Sequence, residues 1–270
     1  MLLTPYGYRE WMTITIIAAV LAAAAIVMLP TVALGLWVAL GIGLIWLALL
    51  SFFRDPIRRI PPSAPPGPRD PIAGITPHSP GVGIFLSPAD GVISAIEEVD
   101  LHEAMTGGGP AIIIRIFLSV LNVHINRAPF DGEVVALKYT PGRFLNAQSD
   151  ESARVNESNL ITFRIDSGGT FPGVSETIGV RQVSGMLARR IVCPLKIGDR
   201  VTRGQRFGMI KFGSTTELIL PRPEDVTVHV TKGDKVKGGV TKLATLTLLG
   251  ERLENATTEA QRHGEDFGLL

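Results

Sequence analysis

From Trp11 to Phe53 the chain is an apolar run with scattered Gly, Ser, Thr and Pro30, and it holds no Asp, Glu, Lys or Arg. One helix over that stretch would be about 60 Å long, roughly twice the thickness of a bilayer's hydrocarbon core. Two passes or a re-entrant hairpin fit better. Pro30-Thr31 is the natural break, which predicts a first helix near Met12 to Leu29 and a second near Val32 to Phe53. Past this point the pattern changes. Pro56 to Pro88 is rich in Pro and Gly and reads as a linker. Short β-branched runs follow at Val92–Ile96, Ala111–Leu118, Glu133–Tyr139, Leu160–Ile165, Thr177–Val183, Arg206–Phe212, Glu217–Leu220 and Val226–Val230, separated by Gly, Pro, Asn and Asp. No segment after the anchor sustains a 3.6-residue period, so the domain is expected to be mainly β. The chain thus divides into a membrane anchor of two hydrophobic helices (1–55), a linker (56–82), a β domain (83–250) and a polar tail (251–270).

A weak internal repeat refines the β reading. Lys196-Ile-Gly-Asp199-Arg-Val201-Thr-Arg-Gly204 and Thr231-Lys-Gly-Asp234-Lys-Val236-Lys-Gly-Gly239 share a G-D-basic-V-x-x-G pattern. Asp and Gly set tight turns while the valine points inward, the punctuation of a small β-sandwich and similar to the turns of biotinyl/lipoyl-like barrels. Arg54, Arg58, Arg59 and Arg69 follow the second helix and Arg9 precedes the first. By the positive-inside tendency the domain is expected on the cytoplasmic side of an inner membrane. A formal charge of +1, with no long basic run, offers no case for nucleic acid. The single cysteine, Cys193, excludes an intramolecular disulfide and a Cys-rich metal site and reads as a small buried hydrophobe.

Three features carry candidate chemistry. In Gly213-Ser214 a hydroxyl can attack the carbonyl before it, turning an amide into an ester, and the glycine has no Cβ to obstruct the bend. Taken alone, that pair is a bulge or turn. His124 follows a very apolar strand, where a loop can present an imidazole to a cleft; a loop-edge histidine by itself is ordinarily structural. Asp90 sits in Pro88-Ala-Asp90-Gly91, which on its own is an Asx turn. Together the three match the known solution of a serine activated by an imidazole held by a carboxylate.

Five stretches raise the chemical reading above the bland one: Pro88-Ala-Asp90-Gly91, Asn122-Val-His124-Ile-Asn-Arg-Ala-Pro129, Pro141-Gly-Arg143-Phe-Leu-Asn146-Ala147, Gln182-Val-Ser-Gly-Met-Leu-Ala-Arg189-Arg190-Ile-Val-Cys193 and Gly208-Met-Ile-Lys-Phe-Gly213-Ser214. In this order they resemble the phosphatidylserine decarboxylases, in their short bacterial and archaeal form, from about residue 50 to residue 249. The resemblance implies a β-rich, barrel-sandwich-like decarboxylase domain behind the helical hairpin, and a proenzyme that cuts itself between Gly213 and Ser214. A β chain of residues 1–213 and an α chain of residues 214–270 would stay together as a heterodimer, with a higher homo-oligomer left open. Ser214 would become a covalent pyruvoyl group, a pyruvate cofactor forming a Schiff base with the amine of phosphatidylserine and accepting the electrons released as CO2 leaves. The product is phosphatidylethanolamine. His124 with Asp90 would assist self-cleavage, and His124, by its ordinary pKa near neutrality, would serve as the general acid. Arg143, Asn146 and Lys211, with Arg189 and Arg190, are candidate contacts for substrate phosphate or carboxylate. No metal is implied.

The chain departs from the family pattern in three places. Arg127 stands where longer members carry a second histidine, Thr215 stands where many short members have Arg, and Ser158 follows Asn156-Glu157 where Arg is common. A membrane-tethered barrel-sandwich adaptor without catalysis is the competing reading; it leaves Gly213-Ser214, Asp90 and His124 without purpose and predicts one intact chain. A metallopeptidase would need clustered ligands, and the sequence has neither H-E-x-x-H nor paired Cys.

Overall fold

The computed structural model describes residues 2–62, 82–145, 152–165, 176–185, 190–211 and 213–247. The expected tail and most of the linker lie outside them. The apolar run folds as a hairpin of α1 (Tyr8–Met28) and α2 (Val32–Phe52), each of 21 residues. That length spans about 31 Å, the thickness of a hydrocarbon core. The break falls where Pro30 forces it, and Thr31 caps α2 by accepting from Leu34 N at 3.3 Å. α1 begins four residues before the expected Met12, because Arg9 and Glu10 are tolerated in the first turn and the Glu10 carboxylate suits the helix N-terminus. The two helices approach closely at Gly35, where a Cβ would lie 2.8 Å from the Ala25 carbonyl oxygen. Trp46 Nε1 also donates to Thr15 Oγ1 across the hairpin at 3.1 Å. No residue of α1 is buried, and both helices are long and apolar enough to cross a membrane.

The rest of the described chain is mainly β structure, as the pattern predicts, with one short α-helix at Ser152–Val155. Its first half comprises β1 (Val82–Leu86), β2 (Gly91–Val99), β3 (Ala111–Leu118), β4 (Ile125–Arg127), β5 (Gly132–Thr140), β6 (Ser158–Ile165) and β7 (Thr177–Val183). The second comprises β8 (Ile191–Val192), β9 (Arg200–Val201), β10 (Arg206–Ile210), β11 (Ser214–Pro221), β12 (Val226–Val228), β13 (Lys235–Val236) and β14 (Lys242–Thr247). An eight-stranded antiparallel sheet in the order β13-β2-β3-β11-β7-β6-β5-β9 faces two three-stranded sheets, β1-β14-β12 and β4-β10-β8. Ile93, Ile114, Ile116, Ile161, Phe163, Leu218 and Leu220 from the large sheet pack with Phe85, Phe207, Ala244 and Leu246 from the small ones in one core.

The strand order is a palindrome, because the domain is two interlocked copies of one unit. The turn Asp199–Gly204 repeats as Asp234–Gly239, and Ser87–Gly91 repeats as Ala128–Gly132. The hydrogen bonds repeat with them: Gly204 N donates to Ala128 O as Gly239 N does to Ser87 O, both at 2.8 Å, and Val134 N donates to Asp199 O as Ile93 N does to Asp234 O, both at 2.9 Å. Gly198 and Gly233 take the same positive φ, 92° and 100°, which an L side chain would resist. One copy (β4–β10) is inserted between β3 and β11 of the other. The chain therefore leaves the inserted copy after β10 and re-enters the outer one at β11.

The hairpin is clasped onto the domain. Thr4 N donates to Phe53 O at 2.9 Å and Asp55 N to Leu2 O at 2.8 Å, pairing the segments outside the two helix ends. Phe52 and Phe53 bury against Val123, Ile125 and Met209, with Tyr6 and Trp11 packed around them.

Candidate active site

Ser214 opens β11 opposite Leu118, the last residue of β3. It is fully buried, and among the described residues its Oγ has no hydrogen-bond partner. Gly213 before it sits at φ +58°, the left-handed region that glycine enters without cost, and open space lies where a Cβ would point. Leaving a buried hydroxyl unpaired costs about 1–3 kcal/mol, so the arrangement calls for a reason.

There is a second orphan. His124, also fully buried, has no partner on Nε2 among the described residues. Its Nδ1 is 3.0 Å from the Asn122 carbonyl, which can only accept, so the ring proton is on Nδ1 and Nε2 presents a bare lone pair. Asn122 is itself fixed by its Oδ1, which accepts from Ser119 N at 2.8 Å and Ser119 Oγ at 2.7 Å. The Phe52 ring covers the imidazole at 4.2 Å between centroids. Burial pushes the His124 pKa down to about 4; the Asn122 hydrogen bond pulls it back up in part, and the Arg54 charge adds to the fall.

Hydrogen bonds link the segments that carry the two orphans. Ser214 and Thr216 share a face of β11, and His124 and Asn126 share a face of the segment opposite. Asn126 Nδ2 donates to Thr216 Oγ1 at 3.0 Å, and Ile210 N, four residues before Ser214, donates to the His124 carbonyl at 3.3 Å. A buried amide chain continues from Asn126: Gln182 Nε2 donates to Asn126 Oδ1 at 2.9 Å, and Asn159 Nδ2 to Gln182 Oε1 at 3.1 Å. Sequence reasoning gave Asn126, Gln182 and Asn159 no role. Their signal was amide side chains inside otherwise apolar strands, which bury only when partnered.

The expected link between Asp90 and His124 is corrected. Asp90 Oδ2 takes Arg58 Nη2 at 2.7 Å and its Oδ1 accepts from Gly238 N at 2.8 Å, while the Nδ1 position it was expected to hold belongs to the Asn122 carbonyl. Its counterpart in the other copy, Asp131, makes the same bond to Arg203 N at 2.8 Å. The carboxylate shared by both copies is a turn device. At a pKa of about 4 the His124 ring is neutral at pH 7 in the substrate-free protein, the form that takes a proton.

Of the expected substrate contacts, Lys211 and Arg190 are neighbours and Arg143 stands on another segment. Lys211 is buried and its Nζ pairs with Glu10 of α1. Arg143 is exposed, with its backbone bonded to Val155 and Glu157 at 2.7 and 3.1 Å. Arg190 is exposed and its carbonyl accepts from Lys211 N at 3.2 Å. Asn146 and Arg189 lie outside the described residues. Arg127, in the place of the second histidine, is buried and donates to Asp55 Oδ1 at 3.1 Å and Gly204 O at 3.0 Å, binding the post-helix segment to the domain. Burial raises the Cys193 thiol above its ordinary value, only partly offset by hydrogen bonds from Leu195 and Asn159, which leaves it unreactive. Among the described residues no three His, Cys, Asp or Glu side chains gather as metal ligands.

Comparison with known proteins places the chain among relatives. A family model described as phosphatidylserine decarboxylase matches residues 47–244. A protein of Symbiobacterium thermophilum named phosphatidylserine decarboxylase proenzyme is 42% identical over 224 residues, covering 82% of this chain and 91% of the relative. A protein of the same name from Cupriavidus metallidurans is 39% identical over 212 residues, 78% of this chain and 84% of the relative. One from Granulibacter bethesdensis is 39% identical over 211 residues, 76% and 75% of the two chains.

Proposed function

Since the chain belongs to the phosphatidylserine decarboxylase family and is a carboxy-lyase of that class, we propose that Ser214 is both the residue at which it cuts itself and the source of a pyruvoyl cofactor. One observation carries this reading: among the described residues the buried Ser214 Oγ and the buried His124 Nε2 are both without partners, on segments joined by the Asn126–Thr216 hydrogen bond. The residues fit such a group, since an unbound oxygen, a glycine free to bend and an unprotonated nitrogen base are what its formation from serine requires. When present, the group supplies a carbonyl that condenses with an amine and draws off the electron pair left by departing CO2.

In the self-cleavage, Ser214 Oγ attacks the Gly213 carbonyl carbon and His124 Nε2 takes the hydroxyl proton. The Gly213–Ser214 C–N bond breaks as the proton passes to the Ser214 nitrogen, leaving an ester. Loss of the Ser214 Cα proton then expels the Gly213 carboxylate, and water releases ammonia from the new N-terminus. Neutral imidazole is the form this step needs, and burial supplies it at pH 7. In turnover, the lipid's phosphate and carboxylate bring negative charge to His124 and favour its protonated form, so that the same ring can hand a proton to the product carbon. Asn126, Gln182 and Thr216 position the two segments, and Asp90 acts on the turn alone.

The Phe52–His124 contact supports a site at the membrane surface, where a diacyl lipid reacts without leaving the bilayer. Arg54, Arg58 and Arg59, following α2, favour the cytoplasmic face. Denaturing electrophoresis with intact mass tests the proposal. Active protein should run as fragments 1–213 and 214–270, the smaller with a blocked N-terminus, and Ser214→Ala should remain one inactive chain near 29.0 kDa. Decarboxylation by an uncut chain, or a free serine amine on the small fragment, would refute it.

A further inference from the structure

A cavity of about 590 Å³ opens where the hairpin meets the domain, with Tyr6 and Ile57 on its walls beside Arg58, Arg127, Arg203 and Arg206. Asp90 pairs with Arg58 at 2.7 Å, and Asp55 pairs with Arg127 at 3.1 Å and Arg206 at 2.8 Å. Two carboxylates thus face four guanidiniums, which leaves two positive charges in excess. Arg203 is 9% exposed; Asp131 accepts from its backbone N, but among the described residues its guanidinium has no carboxylate partner, its Nη2 donates to the Pro61 carbonyl, and its Nη1 and Arg58 Nε have no hydrogen-bond partner. Buried cationic groups in this state are costly unless an anion joins them.

The cavity's position identifies the anion. Tyr6 lies two residues before the first helix and Ile57 follows the second, 80% exposed beside the arginines. An apolar side chain next to clustered guanidiniums suits the junction between a lipid's glycerol and its phosphate, where a free ion would leave Ile57 in water. Basic pockets at the ends of membrane helices take phospholipid head groups, and the guanidinium fork matches phosphate oxygens. The cavity is at the Arg127 end of β4, about 10 Å along the chain from His124. We propose that it binds the phosphodiester of an anionic phospholipid other than the reacting molecule. This rests on reading the hairpin as a membrane anchor.

The full-length processed protein in detergent micelles is titrated with phosphatidylglycerol or phosphatidylcholine, and retained lipids are counted by native mass spectrometry. Phosphatidylglycerol has no amine to react, so turnover does not intervene. It should be retained over phosphatidylcholine, and Arg203→Gln should weaken its retention about fivefold, the effect of one surface arginine on an anionic lipid. Arg206→Gln, at a side chain 40% exposed, is the second variant should Arg203→Gln disturb folding. Equal retention of the two lipids, retention unmoved by either substitution, or displacement by an equal concentration of inorganic phosphate would each overturn the proposal. Alkaline extraction from phosphatidylcholine vesicles tests the anchor separately: release would sink the membrane reading while leaving the micelle result standing.

Discussion

Replacing Phe52 by Ala should move the titration of His124 by about one pH unit without touching a charge. The fall of the imidazole pKa from 6.5 to about 4 corresponds to about 3 kcal/mol in favour of the neutral ring. Desolvation is the leading cause, and the Phe52 ring covers the imidazole at 4.2 Å. Opening that face to water should recover about half of the penalty and bring the midpoint to about 5. Phe52→Leu, which keeps the face dry, should leave it near 4. The assay is an NMR titration of the histidine ring carbons in uncut Ser214→Ala protein, with His124→Gln to assign the resonance. A midpoint between 6 and 7 with Phe52 in place would refute the reasoning. The same shift sets a stability window. The folded pKa lies below the unfolded one, so the contribution is fully present above pH 6.5 and is lost as the pH falls toward 4. Phe52→Ala should lose less over that window, which urea unfolding at pH 7 and pH 4.5 would register.

Three further outcomes follow from the same geometry. Asp90→Asn should leave the His124 midpoint where it is and lower stability through the loss of the Arg58 pair; a midpoint that moved would restore a direct link between the two. Gly213→Ala should cost about 1 kcal/mol, from the left-handed conformation alone since no atom lies in the way; it should slow self-cleavage while leaving the fold intact, as a time course on gels against far-UV dichroism would show. Glu217→Gln should cost about 3–5 kcal/mol in urea unfolding, because two arginines then face a neutral partner in a buried position.

Local pattern served best where the chain's own preferences decide the outcome. Ala111–Leu118 and Thr177–Val183 are strands to the residue, being β-branched runs closed off by Gly, Pro or polar neighbours. Val82–Leu86, Ile125–Arg127 and Lys242–Thr247 escaped notice because Gly83, inward-facing Asn126 and Arg127, and the modest propensity of Lys-Leu-Ala are overridden by pairing with distant strands. Ser214 was recognised but placed just before a strand expected from Glu217. It belongs inside that strand because Leu118, far away in sequence, supplies its partner. The Asp90 error has a similar source. Pro88-Ala-Asp90-Gly91 recurs as Pro129-Phe-Asp131-Gly132, so the sequence did hold the sign of a duplicated turn, but at an offset different from that of the recognised G-D repeat. Two offsets arise because one copy is inserted in the other, and only the fold reveals the insertion.

That insertion bears on why a chain could be cut in the middle of its own core. Under the proposed scission, β11 becomes the first element of the small fragment, and residue 214 keeps its place only through the register of that strand. β11 pairs along its length with β3 and, over Thr215–Ile219, with β7, and its Leu218, Ile219 and Leu220 are fully buried. Those three side chains contribute about 5–9 kcal/mol toward holding the fragments together. Burial alone does not fix register, since β11 is covered on both faces and a slip would exchange one apolar set for another. Glu217 removes that freedom. It lies directly opposite Arg115 and Arg181 and accepts from both, at 2.8 and 2.6 Å, on the face away from Ser214. A one-residue slip would carry the carboxylate into the core and turn the new N-terminus away from His124, shifting it by about 3.3 Å. A buried ion triad that adds little net stability compared with apolar packing can still select one register, and here register is what would hold the newly formed end at the site.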